Sequence, residues 1–246
     1  MKNYWVRFTE IFGRTIFHPQ FIILSFAWAG VLEIKKRGEV AVLDIGSGRA
    51  PYKDYLLKYI KSYTGVDHPK TSKLYKSSQK PDFYADANSL PFKKESFDIA
   101  AMLQVLEYLD EPQLAFNEAF RVLKKGGSII LTTPFMYPIH DGNLDKNRFT
   151  KPRLEMFLKD AKFRISKSEY QGSFFDFWIQ SFLVFYFKNV NSISRKNRFS
   201  KVFSLFLLFF GLIATPFLNL IAIGIRHFVG DKNTEFPLDV LIVAKK

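Results

Sequence analysis

Apolar and polar residues change their spacing several times along the chain, and each change marks an element. Residues 40–45 form a short apolar, β-branched run between Gly38 and Gly46, the pattern of a strand buried on both faces of a parallel sheet. Similar runs at 63–66, 82–85, 97–103, 128–133, 163–170 and 240–244 predict further strands. Residues 51–60 read as a helix with Pro51 in its first turn. Residues 112–124 read as a helix closed by Gly126-Gly127, and 151–161 as another. The stretch 68–81, rich in Lys and Ser, reads as a loop. Upstream, 20–36 reads as an amphipathic or buried helix ending near Gly38. Strands that alternate with helices predict an α/β chain with a doubly wound, mostly parallel sheet.

The rhythm stops at 171–238, an insertion before the last strand. Residues 202–225 are 24 positions without a charge, flanked by Lys201 and Arg226. A bilayer crossing takes about 20 apolar residues, so length alone permits a span. Pro216 in the middle predicts a kink or a break. A last strand that rejoins the sheet cannot lie across a membrane from it. Two half-segments meeting near Thr215-Pro216 satisfy both conditions, each too short to cross and able to lie in the interface. Aromatic residues between 174 and 187 add apolar surface, while Arg195, Lys196, Arg198 and Lys201 offer charge to anionic headgroups. A buried helical cap or dimer interface of a soluble enzyme is the second reading, and a true span the third. The chain divides into an N-terminal helical segment (1–38), an α/β domain (39–170 with 239–246) and an apolar helical insertion (171–238).

Composition changes this picture in three respects. The 28 Phe residues cluster near the N-terminus and after residue 170, more than one core needs. Lys and Arg exceed Asp and Glu by 36 to 23, which favours anionic partners. No zinc-ligand spacing or RNA- or DNA-binding motif accompanies that charge, so no nucleic-acid partner and no metal is expected. The chain has no Cys, which excludes disulfides and fits a reducing compartment. Its first residues lack the apolar core and cleavage site of a secretion signal. The expected location is cytoplasmic, on the inner face of the membrane where the insertion contacts lipid.

The chemistry begins at Val42-Leu43-Asp44-Ile45-Gly46-Ser47-Gly48. In doubly wound sheets ligands bind outside the carboxyl ends of the strands, and glycines there allow a ligand close to the backbone. The dinucleotide pattern G-x-G-x-x-G would require glycine where Pro51 stands. Asp44 is also unhelpful beside a pyrophosphate and suits a ligand bearing an ammonium and a sulfonium. Asp67 closes the next strand in Gly65-Val66-Asp67, 23 residues after Asp44, and Asp86 follows in Tyr84-Ala85-Asp86-Ala87. Leu90-Pro91-Phe92, Ser96-Phe97-Asp98 and Val122-Leu123-Lys124-Lys125-Gly126-Gly127 follow in order. Together these motifs resemble the class I (Rossmann-like) S-adenosylmethionine-dependent methyltransferases, in the small-molecule and ubiquinone-type branch. Ala50 stands in place of the last motif glycine, and Tyr108 where Val105-Leu106-Glu107-Tyr108 would usually end in His.

The resemblance covers 39–170 and the last strand. It implies a Rossmann-like, seven-stranded, mostly parallel sheet with an antiparallel last strand, and S-adenosyl-L-methionine as cofactor. It assigns the cofactor to Asp44, Gly46, Gly48, Asp67, Asp86, Ala87 and Gln104, with Asp67 accepting from the ribose hydroxyls and Asp86 facing the adenine amino group.

Methyl transfer from a sulfonium needs a base only when the acceptor loses a proton. The segment Pro134 to Asp141 holds the sole His of its region, His140, with Asp145 and Arg148-Phe149-Thr150 beyond it. Imidazole suits a base near neutrality. Asp145 can orient it, and Arg148 can hold an anionic acceptor or pair with Asp145. The alternative is a structural ion pair with His140 capping a loop. The stretch also resembles methyltransferase-like proteins of bacterial surface-polysaccharide clusters, which implies a small-molecule, glycan or lipid-linked acceptor, methylated on oxygen before nitrogen or carbon. Two other classes stay open, an inactive methyltransferase-like scaffold at the membrane and an NAD-dependent oxidoreductase.

Overall fold

The computed structural model describes residues 15–70, 80–194, 198–229 and 235–246. The expectations for the first residues, for most of the 68–81 loop and for Arg195, Lys196 and the Arg198 side chain lie outside the described residues. The elements in order are α1 (Phe21–Lys35), β1 (Ala41–Ile45), α2 (Lys53–Leu56), β2 (Ser62–Asp67), β3 (Phe83–Tyr84) and β4 (Phe97–Leu103). They continue with a 3₁₀ turn (Leu106–Tyr108), α3 (Pro112–Val122), β5 (Leu123–Pro134), α4 (Lys151–Asp160) and β6 (Arg164–Gln171). The chain ends with α5 (Phe174–Ile193), α6 (Arg198–Val229) and β7 (Asp239–Lys245).

The strands form one seven-stranded sheet in the order β3-β2-β1-β4-β5-β7-β6. Pairings from β3 to β5 are parallel, with Val42 opposite Tyr63 and Ile99. β7 runs antiparallel to β5, from Ser128 opposite Lys245 to Pro134 opposite Asp239. The expected Rossmann-like α/β sheet with its antiparallel last strand is therefore present. The order reverses between β1 and β4, which makes their carboxyl ends the place for a ligand.

Period-2 alternation separates the two faces of this sheet. Along β4, Ala100 and Met102 join the cluster that holds Phe116 of α3 and Leu154 of α4. Ile99, Ala101 and Leu103 join the opposite cluster with Val31 and Ile34 of α1 and Leu56 of α2.

Chain contacts divide the protein into two units. One comprises Ala27–Phe135, Ile139–Tyr170 and Asp239–Lys246, and contains the sheet. The other comprises Met1–Phe26, Met136–Pro138 and Gln171–Leu238. In this second unit α5 and α6 form an antiparallel helix pair, since Arg226 near the end of α6 holds Asp176 in the first turn of α5. Ile22, Phe26, Ile179, Leu183 and Ala222 pack its interior.

Four expectations need correction. The helix expected over 51–60 shrinks to the four residues of α2. β3 covers Phe83–Tyr84 instead of 82–85. The helix over 112–124 stops at Val122, and Leu123 already pairs with Phe97. Gly126-Gly127 therefore serves an irregularity in β5: Gly126 has φ +76°, and a Cβ on Gly127 would stand 2.9 Å from the Asp98 and Lys124 carbonyl oxygens. Lastly, Pro216 does not split the apolar stretch; α6 runs unbroken through it for 32 residues. Just before it, the Thr215 hydroxyl donates to the Gly211 carbonyl at 2.7 Å.

Phe116 lies at the centre of the larger cluster and is fully buried. Phe116→Ala removes that ring from beneath β4, and is expected to cost about 3–5 kcal/mol, measured as a lowered urea midpoint. An unchanged midpoint would show that the sheet does not rest on this helix.

Candidate active site

The loop after β1 is built around one close approach. Gly46 has φ +79°, and a Cβ there would stand 2.1 Å from Val105 Cγ2. Glycine is thus required by conformation and by space alike. The amides of Gly46 and Ser47 both donate to the Val66 carbonyl, at 2.8 and 3.0 Å, tying the loop to the end of β2. Gly48 (φ +55°) and Ala50 (φ +50°) are also left-handed. Ala50 holds the backbone shape a glycine would take, at a strain of about 1 kcal/mol.

Asp44 does not face the open cleft. It is 3% exposed and accepts a hydrogen bond from the Tyr63 hydroxyl. Burial raises its carboxyl to about 6, against the lowering effect of that hydroxyl and with the added repulsion of Asp67. Asp44 therefore fixes the floor beneath the loop.

Above that floor lies a cleft of about 290 Å³ at the carboxyl ends of β1, β2 and β4. Gly46, Asp67, Asp86, Ala87 and Gln104 line it, five of the seven expected cofactor residues. Gly48 and Asp44 do not. Asp67 Oδ1 accepts from the His68 amide at 2.7 Å, and Asp86 Oδ1 from the Asn88 amide at 2.9 Å, so both carboxylates are held in position. Lys146 pairs with Asp110 at 2.5 Å within the same wall. Asp67, Asp86 and Asp141 leave the lining with a negative bias that favours a cationic ligand. A pyrophosphate finds no such welcome, and the four-residue α2 offers it no helix N-terminus.

At the end of β4, Gln104 takes φ +59°, its amide donating to the Thr132 carbonyl at 2.9 Å. Its side-chain amide donates to Asp239 Oδ2 at 2.7 Å. Asp239 is fully buried, and that burial holds its carboxyl well above the usual carboxylate range against the Gln104 hydrogen bond. The first residue of β7 thus pins a cleft residue.

The three expected catalytic residues come together. Arg148 grips Asp145 with two nitrogens, Nη1 on Oδ1 and Nη2 on Oδ2 at 2.8 Å. The Arg148 hydrogen bond pulls Asp145 down to about 2, against burial and helped by the His140 amide. Asp145 Oδ2 also lies 3.1 Å from His140 Nδ1. The structural ion pair and the histidine orienter are one arrangement. His140, however, is not part of the cleft lining; Tyr108 and Asp141 are. The Tyr108 hydroxyl lies 3.0 Å from His140 Nε2 and 3.0 Å from Asp141 Oδ2.

Sequence reasoning missed Tyr108 and Glu107. Tyr108 registers in sequence only as a departure from histidine, with nothing to show that a histidine 32 positions later meets its hydroxyl. Glu107 is 1% exposed, and burial raises its carboxyl to about 8. Its carbonyl accepts the Lys146 and Asn147 amides at 2.9 and 3.1 Å, fixing the loop that carries Asp145.

A family model described as a methyltransferase domain matches residues 43–131. An uncharacterised protein of Methanocaldococcus jannaschii is 36% identical over 89 residues, 34% of this chain and 38% of that one. The malonyl-(acyl-carrier protein) O-methyltransferase of Herminiimonas arsenicoxydans is 36% identical over 72 residues, 27% of each. The chain thus spans well under half of these relatives' lengths. A crystal structure from Thermotoga maritima, described as an S-adenosylmethionine-dependent methyltransferase and possible histamine N-methyltransferase, superimposes with a TM-score of 0.55 at 17% identity. The match covers 100% of this chain and 96% of that one, and shows a shared fold.

Glu107 gives this region a pH signature. Its folded-state value of about 8 exceeds the ordinary 4.5, so the unfolded chain sheds its proton first. This contribution to stability is complete below pH 4.5 and is lost as pH rises towards 8. In urea melts, Glu107→Gln is expected to flatten the decline across that window relative to the parent. Parallel curves would show that Glu107 ionises normally.

Proposed function

We propose that the protein transfers a methyl group from S-adenosylmethionine to an oxygen of a small-molecule, glycan or lipid-linked acceptor, a reading supported by the methyltransferase-domain family model that matches residues 43–131. The observation that carries this reading is the acid-lined cleft at the carboxyl ends of β1, β2 and β4, approached by the Gly46 loop. The proposed location is the cytoplasm, at the inner face of the membrane.

The residues fit the cofactor. Asp67, at the end of β2, suits a vicinal diol, which donates two hydrogen bonds to one carboxylate. Asp86 and Ala87 suit the base, and Gln104 and Gly46 provide backbone close to the ligand. Bound there, the cofactor supplies an electrophilic methyl group for direct displacement.

The protein then has to orient the acceptor and remove its proton. Asp145 stays anionic because Arg148 holds it, and accepts a hydrogen bond from Nδ1–H of His140. With Nδ1 protonated, His140 Nε2 can accept the Tyr108 proton, which Asp141 Oδ2 also faces at 3.0 Å. In this reading the acceptor hydroxyl gives its proton to the Tyr108 oxygen as the Tyr108 proton passes to His140 Nε2. The imidazolium so formed faces Asp145, while the new carbon–oxygen bond forms. Tyr108 is the group that touches substrate, and His140, Asp145 and Arg148 stand behind it.

Calorimetric titration with S-adenosylhomocysteine is expected to show one site on the folded protein, and absence of heat would overturn the cofactor assignment. Asp67→Ala should weaken that binding at least about tenfold, through loss of two charge-assisted hydrogen bonds; equal affinity would show that another group holds the ribose. Tyr108→Phe should bind S-adenosylhomocysteine like the parent, yet lower methyl transfer from labelled S-adenosylmethionine into a lipid and small-molecule extract by about 10²-fold or more. Undiminished transfer would exclude the relay.

A further inference from the structure

The second unit is strongly apolar outside, and its apolar interior also encloses several polar side chains. On α6 the buried positions include Ser204, Gly211, Thr215, Asn219 and Ala222. Its outward positions are large and apolar, with Phe206, Phe209, Phe217 and Leu220 all more than half exposed. On α5, Trp178, Phe182 and Phe185 form an exposed stripe at helical spacing, and Trp178 and Phe182 stack at 6.1 Å.

Polar groups between the helices are paired within the protein. Arg226 grips Asp176, which is fully buried, at 2.6 and 3.1 Å. Gln180 donates to the Pro19 carbonyl at 3.0 Å and accepts from the Ile23 amide at 3.2 Å. Asn219 donates to the Ile16 and His18 carbonyls at 2.7 and 3.1 Å. Gly211 lets the helices close, since a Cβ there would meet the Tyr186 ring at 2.4 Å. Small residues and polar contacts between helices, with bulky apolar residues outside, are how helices pack in hydrocarbon.

We infer that the α5–α6 pair is a membrane anchor whose outer face lies in the hydrocarbon of one leaflet. A protein partner fits this face poorly, because such interfaces carry a polar rim and α6 shows no charge from 202 to 225. Phe199–Phe228 has a mean hydropathy of 2.3 over its most apolar window, only 28% of it buried within the protein. Length does not make it a crossing. The pair is entered from β6 and left toward β7, strands of one sheet, so both its ends lie on one side of the bilayer. The apolar part of α5, 174–187, spans about 21 Å of helix and falls short of a 30 Å core. The anchor is therefore monotopic and held by apolar burial, so salt does not release it. This assignment goes beyond the methyl-transfer reading and stands without it.

The test uses the full chain. Membranes from expressing cells are washed with 1 M salt, then with alkaline carbonate, then with detergent. The protein is expected to leave the pellet only with detergent; release by salt or carbonate, or recovery in the low-salt supernatant, would overturn the anchor. Purified protein is then floated with phosphatidylcholine vesicles, with and without phosphatidylglycerol. Phe206→Lys with Phe209→Lys should lower flotation at least about tenfold, with secondary structure and S-adenosylhomocysteine binding retained as the folding control. Flotation unchanged by the pair of lysines, or seen only with the anionic lipid, would replace hydrocarbon insertion by surface adsorption. Acyl-chain-brominated lipid should quench emission in the parent, and Trp178→Phe should lose the quenched component. Absence of quenching would also overturn the assignment. A soluble dimer that the lysines convert to monomer would assign the face to a second copy.

Discussion

The pairing of β7 with β5 is the constraint on which the rest depends. Seven register pairs, from Ser128 opposite Lys245 to Pro134 opposite Asp239, commit the end of the chain to a place between β5 and β6 in the sheet. Whatever lies between β6 and β7 must leave and return to that sheet, so a long apolar insertion is allowed only as a closed excursion. The same pairing places Asp239 against Gln104, whose backbone is held left-handed at the mouth of β4. A single strand therefore sets both the topology of the apolar helices and the shape of one cleft wall. Its burial keeps Asp239 well above the ordinary carboxylate range, which avoids an uncompensated charge in the core.

Much of the fold was legible because its signals are local. Apolar runs such as 97–103 and 128–133 are strands by pattern alone, and the Gly46 loop with Asp67 and Asp86 announces itself in order along the chain. What failed depended on competition between local and distant partners. Gly126-Gly127 stops helices in general, yet here Leu123 pairs with Phe97 and the glycines accommodate the irregularity that follows. Pro51 can start a helix, but the chain turns at once and only Lys53–Leu56 is helical. Pro216 breaks helices in water, and α6 continues through it within an apolar stretch where an unwound backbone has few other partners. At the site, His140, Asp145 and Arg148 were readable as a cluster because eight positions separate the first from the last. Tyr108 was not, because no pattern in sequence predicts a contact across the loop after β5.

Both units have apolar cores, and they differ in what they expose. In the sheet unit, large aliphatic side chains are buried and charges lie at the strand ends, as water demands. In the helical unit, Asp176, Gln180 and Asn219 are buried while phenylalanines face outward. The hydrophobic effect explains the first arrangement directly. It explains the second only if the surroundings of that unit are themselves apolar, for then an exposed Phe costs nothing and an unpaired Asp costs most. Arg226 satisfies Asp176 for that reason, and the capping box of Ser173 with Asp176 closes the helix start without help from solvent.

The charge arrangement around Tyr108 also bears on the acceptor atom. Asp145 receives Arg148, the His140 amide and the His140 ring, so it stays anionic and fixes the imidazole with its proton on Nδ1. An imidazole in that state offers a lone pair toward Tyr108 and accepts one proton. In the proposed relay an alcohol or phenol acceptor would supply one proton in step with methylation, and that proton would end on His140. An amine acceptor attacks with its own lone pair and needs no such relay before the bond forms. In the proposed reading, the hydrogen-bonded line from Arg148 to Tyr108 is the feature that favours an oxygen acceptor over nitrogen.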